Sequence, residues 1–115
     1  MTTISIGDVA RDSGASTSAV RFYEAHGLIS ATRTSGNQRR FHTDAACRIK
    51  AARVAQRIGL TVTDIRRLFA QLPPNPTPHD WHHLEDTLAQ EAARRIAQLH
   101  EVLDDIKSDQ KLCEL

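Results

Sequence analysis

The longest uninterrupted pattern in this sequence runs from Asp80 to about Leu112, where neither glycine nor proline occurs and apolar residues recur every three or four positions. This spacing places them along one side of a helix, close to the 3.5-residue repeat of coiled coils. At about 1.5 Å per residue, the helix would be about 50 Å long, which is more than a small domain can cover. The simplest partner is the same helix of a second copy, and the alternative is a helix that folds back on its own domain. The seam comprises Trp81, Leu84, Leu88, Ala92, Ile96, Leu99, Leu103 and Ile106.

All four prolines lie just before this helix, within residues 73–78. Proline lacks a backbone donor and restricts the residue before it, so no helix is expected to run through this segment. The chain is therefore expected to have three parts. These are a folded domain over residues 1–72, a proline-rich linker over residues 73–79, and a long helix with a short tail over residues 80–115.

Basic and acidic residues are divided between the two halves of the chain. Residues 1–73 contain eleven Arg and Lys against five Asp and Glu, a net charge of +6, and residues 74–115 contain four against nine, a net charge of −5. A basic half is suited to a polyanion such as nucleic acid, whereas an acidic half avoids it. A solvated basic face that binds nothing is the alternative.

The start of the chain contains two short helical patterns separated by a glycine. Residues 6–13 carry apolar side chains at i, i+3 and i+4, and Gly14 follows where a helix is expected to end. Ser16 is a good N-cap for a second helix over residues 17–26. Two helices joined by a tight turn are typical of the helix-turn-helix, whose second helix enters the major groove of DNA. The inner stripe of the second helix consists of Ala19, Val20 and Tyr23.

Residues 31–41 are interpreted as a β-hairpin, because Ser35-Gly36-Asn37 supplies the residues that a tight turn prefers. A protruding hairpin with three arginines can straddle phosphates, and arginine can also enter a narrow minor groove. We interpret this hairpin as the wing of a winged helix-turn-helix. Its polar residues are Arg33, Asn37, Gln38, Arg39 and Arg40.

Two further helices are expected to complete the first part of the chain. Thr43 is expected to cap a helix over residues 44–58, and Thr61 or Thr63 to open the next. Cys47 lies among alanines and is expected to be a small buried apolar residue. The fold class is therefore mainly α: a winged helix-turn-helix DNA-binding domain followed by a long dimerisation helix.

The composition argues against several other classes. No stretch of about 18 apolar residues occurs, and the N-terminus does not resemble a secretory signal. The two cysteines lie far apart and suit a reducing compartment, so a cytoplasmic protein is expected. No nucleophile–base pair, phosphate-binding glycine loop or paired carboxylates are apparent, so the chain is not expected to be an enzyme.

The order of these elements resembles the MerR family of bacterial regulators. The residues that carry the resemblance are IGDVA at 6–10, VRFYEAHGLI at 20–29 and RRF at 39–41. Within that family the chain looks most like the SoxR subgroup. The subgroup resemblance rests on residues 35–41, residues 55–60, Leu72-Pro73, Trp81 and Arg94-Arg95-Ile96.

The resemblance implies a homodimer held by an antiparallel coiled coil of the long helices. The DNA-binding domains of the two subunits, which we call heads, would read the halves of a near-palindromic promoter site in double-stranded DNA. The family distorts such DNA so that the promoter elements come into register for RNA polymerase. In physical terms this is indirect readout used as a switch.

The resemblance also implies which residues meet DNA. Thr17, Ser18 and Arg21 lie near the groove-facing end of the recognition helix, where Arg21 could contact a guanine edge or a phosphate. Tyr23 matches a family tyrosine expected to bind a phosphate, and a core aromatic is the alternative. The wing residues, Arg33, Asn37, Gln38, Arg39 and Arg40, are expected to contact mainly the backbone. Arg40 has a second possible role, which is to brace the wing against Glu24 or Asp44.

SoxR-type proteins hold a [2Fe–2S] cluster with four cysteines just after the long helix, and such a cluster usually needs four ligands. The corresponding stretch here contains Cys113 alone, so no cofactor is expected. The alternative function is a redox or metal- or thiol-responsive sensor that uses Cys113, or an iron–sulfur cluster in a longer natural form. An incidental cysteine is the plainer interpretation of Cys113.

Three histidines at the start of the long helix are candidate metal ligands. His79 and His83 share a helix face, but no cysteine or acidic residue lies at a recognisable ligand spacing from them and His82. A polar helix start with solvated histidines is the preferred interpretation, so no metal site is expected.

Overall fold

The computed structural model describes residues 3–114, which form five α-helices, a small sheet and one short 3-10 helix. The expected architecture, a mainly helical winged helix-turn-helix followed by a long helix, is confirmed. The elements are β1 (Thr3–Ile4), α1 (Ile6–Ser13), α2 (Thr17–Ala25), β2 (Ala31–Arg33), β3 (Arg39–His42), α3 (Ala45–Ile58), α4 (Val62–Phe69), α5 (Pro78–Ile106) and a 3-10 helix (Leu112–Glu114).

Capping boxes begin three of the five helices. Ser5 precedes α1, Thr61 precedes α4 and Thr77 precedes α5, and each hydroxyl accepts a hydrogen bond from the backbone N–H of an aspartate three residues later. That aspartate carboxylate accepts in return from the backbone N–H of the capping residue. Each pair satisfies two donors that a helix N-terminus leaves free, so the chain encodes these starts locally.

The start of α3 differs from the expectation. Asp44, not Thr43, is the N-cap residue, and its side chain makes no capping hydrogen bond. The Asp44 carboxylate instead pairs with His42 and Arg48, at 3.0 and 2.8 Å. The partly buried Arg48, four residues further along the chain, therefore binds the Asp44 carboxylate. The carboxylate makes no hydrogen bond to the backbone N–H groups at the start of α3.

The bounds of α5 also differ from the expectation. The helix begins at Pro78, two residues before Asp80. Proline suits the first helical turn, because a backbone N–H at that position would have no acceptor within the helix. It ends at Ile106, well before Leu112. A bend and the separate 3-10 helix follow, so the tail does not continue the helix.

The sheet contains a strand that sequence reasoning missed. The short β1 pairs antiparallel with β3, which lies between β1 and β2. Between β2 and β3 the chain turns at Ser35 and Gly36, and Asn37 adopts φ 63°. Asparagine tolerates this left-handed conformation, and a turn followed by such a residue is a common three-residue hairpin loop.

The core lies between α3 and the elements around it. Val9, Val20, Phe41, Ile49 and Ile65 are its largest fully buried side chains, and they come from five different elements. The other expected inner residues of α3, Ala45 and Ala52, are buried as well, and Gly59 ends the helix in a left-handed conformation, φ 101°. The residues 3–72 thus enclose one apolar centre, to which α5 adds Leu84 and Leu88.

The apolar seam of α5 is covered along only half of its length. Leu84 and Leu88 are buried against the core and Trp81 is half-buried. Ile96 and Leu99, further along the helix, are 57% and 67% exposed. The helix therefore packs on its own domain at its start and projects beyond it, giving a molecule of 67 × 30 × 21 Å. Among the described helices, none is long and apolar enough to span a membrane.

The three capping aspartates predict how stability depends on pH. Hydrogen bonds from the capping residues hold the pKa values of Asp8, Asp64 and Asp80 below the usual 3.8. Their stabilising effect is therefore complete above this value and is lost as the pH falls through the lower folded-state values. Replacing all three by asparagine keeps an acceptor but removes the charge.

We expect the Tm of the wild type to exceed that of the triple variant at neutral pH, and the difference to shrink between about pH 4 and about pH 2. Thermal unfolding followed by circular dichroism over this pH range measures the Tm of the wild type and of the triple variant. A difference that stays constant with pH would contradict a role for these charges.

Candidate nucleic-acid interface

Helix α2 presents its N-terminal end to solvent. Thr17, Ser18 and Arg21 are all exposed, while Val20 and Tyr23 on the opposite side are buried. The Ser16 hydroxyl caps the helix by accepting from the N–H of Ala19, at 3.1 Å. Free N–H groups and the positive end of the helix dipole are thus close to the exposed polar side chains, an arrangement that attracts phosphate.

The turn between α1 and α2 is tied down by several hydrogen bonds. Gly14 adopts φ 72°, which a residue with a Cβ would resist. The buried Ser13 hydroxyl donates to Ala10 O and accepts from Ala15 N–H, at 3.3 and 3.2 Å. Arg53 of α3 also donates to Ser13 O. The angle between the two helices is therefore set by the core domain as well as by the turn itself.

The wing is closed by its own hydrogen bonds. Thr34 N–H donates to Gln38 O and Asn37 N–H donates to Thr34 O, both at 2.9 Å. The Arg33 guanidinium donates to the backbone and side-chain oxygens of Asn37, at 3.2 and 3.3 Å. These contacts hold the exposed tip in one shape without a hydrophobic core beneath it.

An ion pair connects the wing to the recognition helix. Arg39 Nε lies 3.0 Å from Glu24 Oε1, with side chains 39% and 22% exposed. From the sequence, Arg40 was a candidate for this contact with Glu24, but in the structure Arg39 makes it. Along β3, successive side chains point to opposite faces, so only one of two neighbouring arginines can face α2.

The Arg40 guanidinium holds the N-terminal strand instead of pairing with Glu24. Its Nη2 donates to Thr3 O at 3.0 Å and its Nε donates to Thr3 Oγ1 at 3.2 Å. The wing and the start of the chain are therefore joined by side-chain contacts in addition to the pairing of β1 with β3.

A groove of about 300 Å³ separates the recognition helix from the wing. It brings Arg21 of α2 together with the wing side chains predicted to bind DNA. Thr17 and Ser18 lie outside it on the exposed end of α2, and Tyr23 lies in the core. The groove is lined by Ser5, Ile6, Arg21, Arg33, Asn37, Gln38, Arg39 and Arg40.

Tyr23 has the core position that the sequence left open as an alternative to phosphate binding. It is 6% exposed, and its hydroxyl donates to Gln56 Oε1 of α3 at 3.0 Å. Phe22, the next residue back, is 41% exposed and stacks on His26 with ring centroids 4.1 Å apart. In this structure, therefore, the Tyr23 hydroxyl links the recognition helix to α3.

A polar network beside the wing was not anticipated. His42, Asp44 and Arg48 form a chain of contacts whose side chains are only 14–15% exposed. Arg48 also donates to Pro73 O at 3.1 Å and lies 5.7 Å from the centre of the Phe69 ring. The i, i+4 spacing of Asp44 and Arg48 in the sequence could have predicted the ion pair within this network. The network joins β3 and α3 to the proline-rich segment.

The cysteines do not form a ligand set. Both are exposed, which contradicts the expected burial of Cys47 on α3, and Cys113 lies in the 3-10 helix of the tail. Over residues 3–114, no three His, Cys, Asp or Glu side chains are grouped so that they could hold a metal ion. A [2Fe–2S] cluster bound by four thiolates therefore does not fit the described residues of this chain.

These features define a class of protein: winged helix-turn-helix proteins with a basic head and a projecting helix. Residues 4–72 match the family model described as MerR HTH family regulatory protein. A curated relative, the HTH-type transcriptional activator SoxR homolog of Chromobacterium violaceum, is 39% identical over 107 residues, which cover 89% of this chain and 72% of the relative. The chain belongs to the MerR family, whose members are DNA-binding transcriptional regulators and not a class of enzymes.

Solved structures agree with this assignment at the level of the fold. HiNmlR, a MerR family regulator lacking the sensor domain and bound to promoter DNA, has a TM-score of 0.58 at 23% identity, with 92% of this chain and 86% of that chain covered. A MerR family transcriptional regulator from Listeria monocytogenes has a TM-score of 0.58 at 25% identity, covering 90% and 80%.

Substitutions of Arg40 on the wing and of Arg21 on α2 are expected to have different effects on stability. Arg40→Ala removes two hydrogen bonds to Thr3, so we expect the free energy of unfolding to fall by about 1 kcal/mol. Arg21→Ala, on the exposed face of α2, should change it by less than about 0.5 kcal/mol. Urea unfolding of both variants and the wild type at one protein concentration measures these free energies. An equal loss of stability in the two variants would contradict a bracing role for Arg40.

Proposed function

We propose that this protein is a homodimeric transcriptional regulator that binds a near-palindromic site in promoter DNA. The observation that carries the proposal is the groove in which Arg21 of the recognition helix faces Arg33 and Arg39 of the wing. A polyanion is the ligand suited to three guanidinium groups gathered on an exposed concave face. The net charge of +6 over residues 1–73 supports the same ligand.

In the proposed complex, α2 enters the major groove with its N-terminal end first. Thr17, Ser18 and Arg21 would meet base edges or phosphates there, and Arg21 is the side chain best able to bind guanine at two points. The wing would follow the flanking backbone with Arg33, Asn37, Gln38, Arg39 and Arg40, and these contacts position the head more than they read sequence. Tyr23 would contribute to this set only if its hydroxyl exchanged Gln56 for a phosphate.

The homodimer is supported by the uncovered half of α5. Ile96, Leu99 and Ile106 expose more than half of their surfaces. A strip of this length along one helix is stabilised by burial against another helix, and pairing with a second copy creates a closed two-fold assembly. We infer an antiparallel coiled coil, which would place one basic head at each end of the stalk.

Such a dimer would read two half-sites and couple them mechanically. DNA contacts at both heads can compensate the energy of distorting the intervening duplex. We infer that this distortion adjusts the promoter for RNA polymerase. A protein with this partner would act in the cytoplasm, where bacterial promoter DNA is found. HiNmlR, similar in fold, is bound to promoter DNA, which supports the proposed partner.

Arg21→Ala and Arg39→Ala should each weaken DNA binding, because each removes a guanidinium from the groove. Genomic footprinting identifies a site, and gel shifts on that duplex at several salt concentrations then measure affinity. A variant that loses one phosphate contact should lower the slope of log K against log salt by about 1.

Arg94→Ala is the matched control, since Arg94 lies on α5 and pairs with Glu91 outside the groove. It should bind like the wild type. Wild-type affinity in both groove variants would refute this mode of docking.

Leu99→Asp should dissociate the dimer, because it places a charge in the middle of the exposed seam. Gln98→Asp adds the same charge at the neighbouring exposed position off the seam and should leave the dimer intact. Sedimentation velocity distinguishes the two states. A Leu99→Asp variant that sediments as a dimer at low micromolar concentration would show that the seam is not the interface.

A further inference from the structure

A cavity of about 430 Å³ lies against the face of the small sheet that points away from the core. The strand register places Thr3 opposite His42 and Thr32 opposite Arg40, so these four side chains share that face. Phe41, between the two β3 residues, is buried on the other face. The loop over residues 27–31, the start of α3 and the proline-rich segment supply the remaining walls. We call this space the wing–linker cavity.

The charged side chains in the wall of the wing–linker cavity carry an excess of positive charge. Arg40 and Arg48 contribute two guanidinium groups and Asp44 contributes one carboxylate, so the sum is +1 with His42 neutral. The Asp44 carboxylate is already bound by Arg48 Nε at 2.8 Å and lies 3.0 Å from His42 Nδ1. The single negative charge is therefore compensated within the wall, and the cavity suits an anion.

Both guanidinium groups keep a nitrogen with which to bind a ligand. Arg40 uses its Nε and Nη2 on the N-terminal strand, and Arg48 uses its Nε on Asp44 and its Nη2 on the proline-rich segment. Within residues 3–114, neither Nη1 donates a hydrogen bond. The Asp44 backbone N–H donates to His42 Nδ1 at 3.2 Å, so a neutral ring carries its proton on Nε2 and adds a third donor.

The floor of the wing–linker cavity is apolar. Leu28 and Ile29 are only 2% and 5% exposed, and the half-buried Leu72 packs against the same core. Pro74 and the exposed hydroxyl of Ser30 belong to the lining as well. A strongly hydrated inorganic anion gains nothing from apolar walls, whereas a ligand with a hydrocarbon body is stabilised by burial against them.

We propose that the wing–linker cavity binds a small organic monocarboxylate with an apolar body. The carboxylate would accept hydrogen bonds from Arg40 and Arg48, and the hydrocarbon part would lie on Leu28 and Leu72. Pockets for small molecules usually have volumes of about 300–1,000 Å³ and combine apolar walls with a few convergent polar groups, as this one does. The ligand would join the wing to the segment that leads into α5.

Arg40 connects this site to the DNA-binding groove, because its side chain lines both. A carboxylate that holds Arg40 Nη1 in the wing–linker cavity keeps the guanidinium away from the groove. The ligand would therefore weaken DNA binding, and DNA would weaken ligand binding by the same factor. This coupling rests on the proposed function, whereas the ligand site itself does not.

Sodium benzoate serves as the probe for the site in the absence of DNA. Titrating it into the full chain should give saturable shifts of the backbone amides of residues 27–32 and of Leu72 in two-dimensional NMR spectra, with a Kd below about 1 mM. Benzamide lacks the charge and acetate lacks the ring. Each should bind at least about tenfold more weakly, because each satisfies only one part of the cavity.

Two variants test the residues of the wall. Ser30→Glu places a carboxylate at the exposed rim and should weaken benzoate binding at least about tenfold, while Gln90→Glu adds the same charge on α5 and should bind like the wild type. Arg48→Lys keeps a cation beside Asp44, so the fold is retained. It should weaken binding at least about threefold, since an amine paired with Asp44 has no second nitrogen for the ligand.

The coupling is measured by gel shift on the footprinted duplex. Saturating benzoate should lower the affinity of the wild type for DNA at least about fivefold relative to sodium chloride at the same ionic strength. The affinity of Ser30→Glu for DNA should not respond to benzoate. An unchanged wild-type affinity would refute the coupling through Arg40 and leave the ligand site standing.

Three results would overturn the site itself. One is a titration whose shifts do not saturate or fall outside the wing–linker cavity. Another is benzamide binding as tightly as benzoate, which would show that the guanidinium groups do not bind the ligand. The third is equal benzoate affinity in Ser30→Glu and Gln90→Glu. These measurements contain no DNA, so a failure of the proposed DNA binding would be seen separately.

Discussion

The packing of α3 is the interaction on which the rest of the molecule depends. Its inner face carries Ile49 among small alanines, so that α1 and α5 can approach its backbone closely. The same helix supplies Gln56 to Tyr23 and Arg53 to the turn after α1. The orientation of the recognition helix is therefore determined by α3 more than by the helix-turn-helix alone. Since a close-packed core deforms little, an element with contacts on so many sides holds α1, α2 and α5 in fixed positions relative to one another.

Charge is distributed over the head so that each arginine of the wing has a separate structural task. Arg33 closes the tip, Arg39 pairs with Glu24 of α2, and Arg40 holds Thr3. The Arg39–Glu24 pair is solvent-exposed enough to contribute little stability. In the proposed complex, Glu24 would orient Arg39 beside the groove before DNA arrives, so that less side-chain entropy would be lost on binding.

Local signals accounted for most of the fold. Turn and capping residues such as Ser16, Gly14 and Asn37 act over three or four positions, so their spacing in the sequence is sufficient to place helices and the hairpin. The errors occurred where competing neighbouring side chains, or the face that a helix turns to the core, decided the outcome. Thr43 is not the cap because the neighbouring Asp44 begins α3, and the Asp44 carboxylate binds Arg48 and His42. The burial expected for Cys47 was wrong because α3 turns its alanines inward and leaves the cysteine on the outer face. The strand β1 was missed because two residues carry no periodicity.

The sequence by itself determined the helices, the wing, the division of charge and the family, because each rests on short-range spacing or on residue identity. Only the tertiary structure decided which of two adjacent arginines braces the wing, where Tyr23 points, and how much of the α5 seam stays uncovered. These properties depend on which surfaces meet across 15 or more positions of the chain, as Arg39 and Glu24 or Tyr23 and Gln56 do. The long seam was visible as a pattern, but its division into a half that packs on the head and a half that stays exposed follows from the position at which α3 ends.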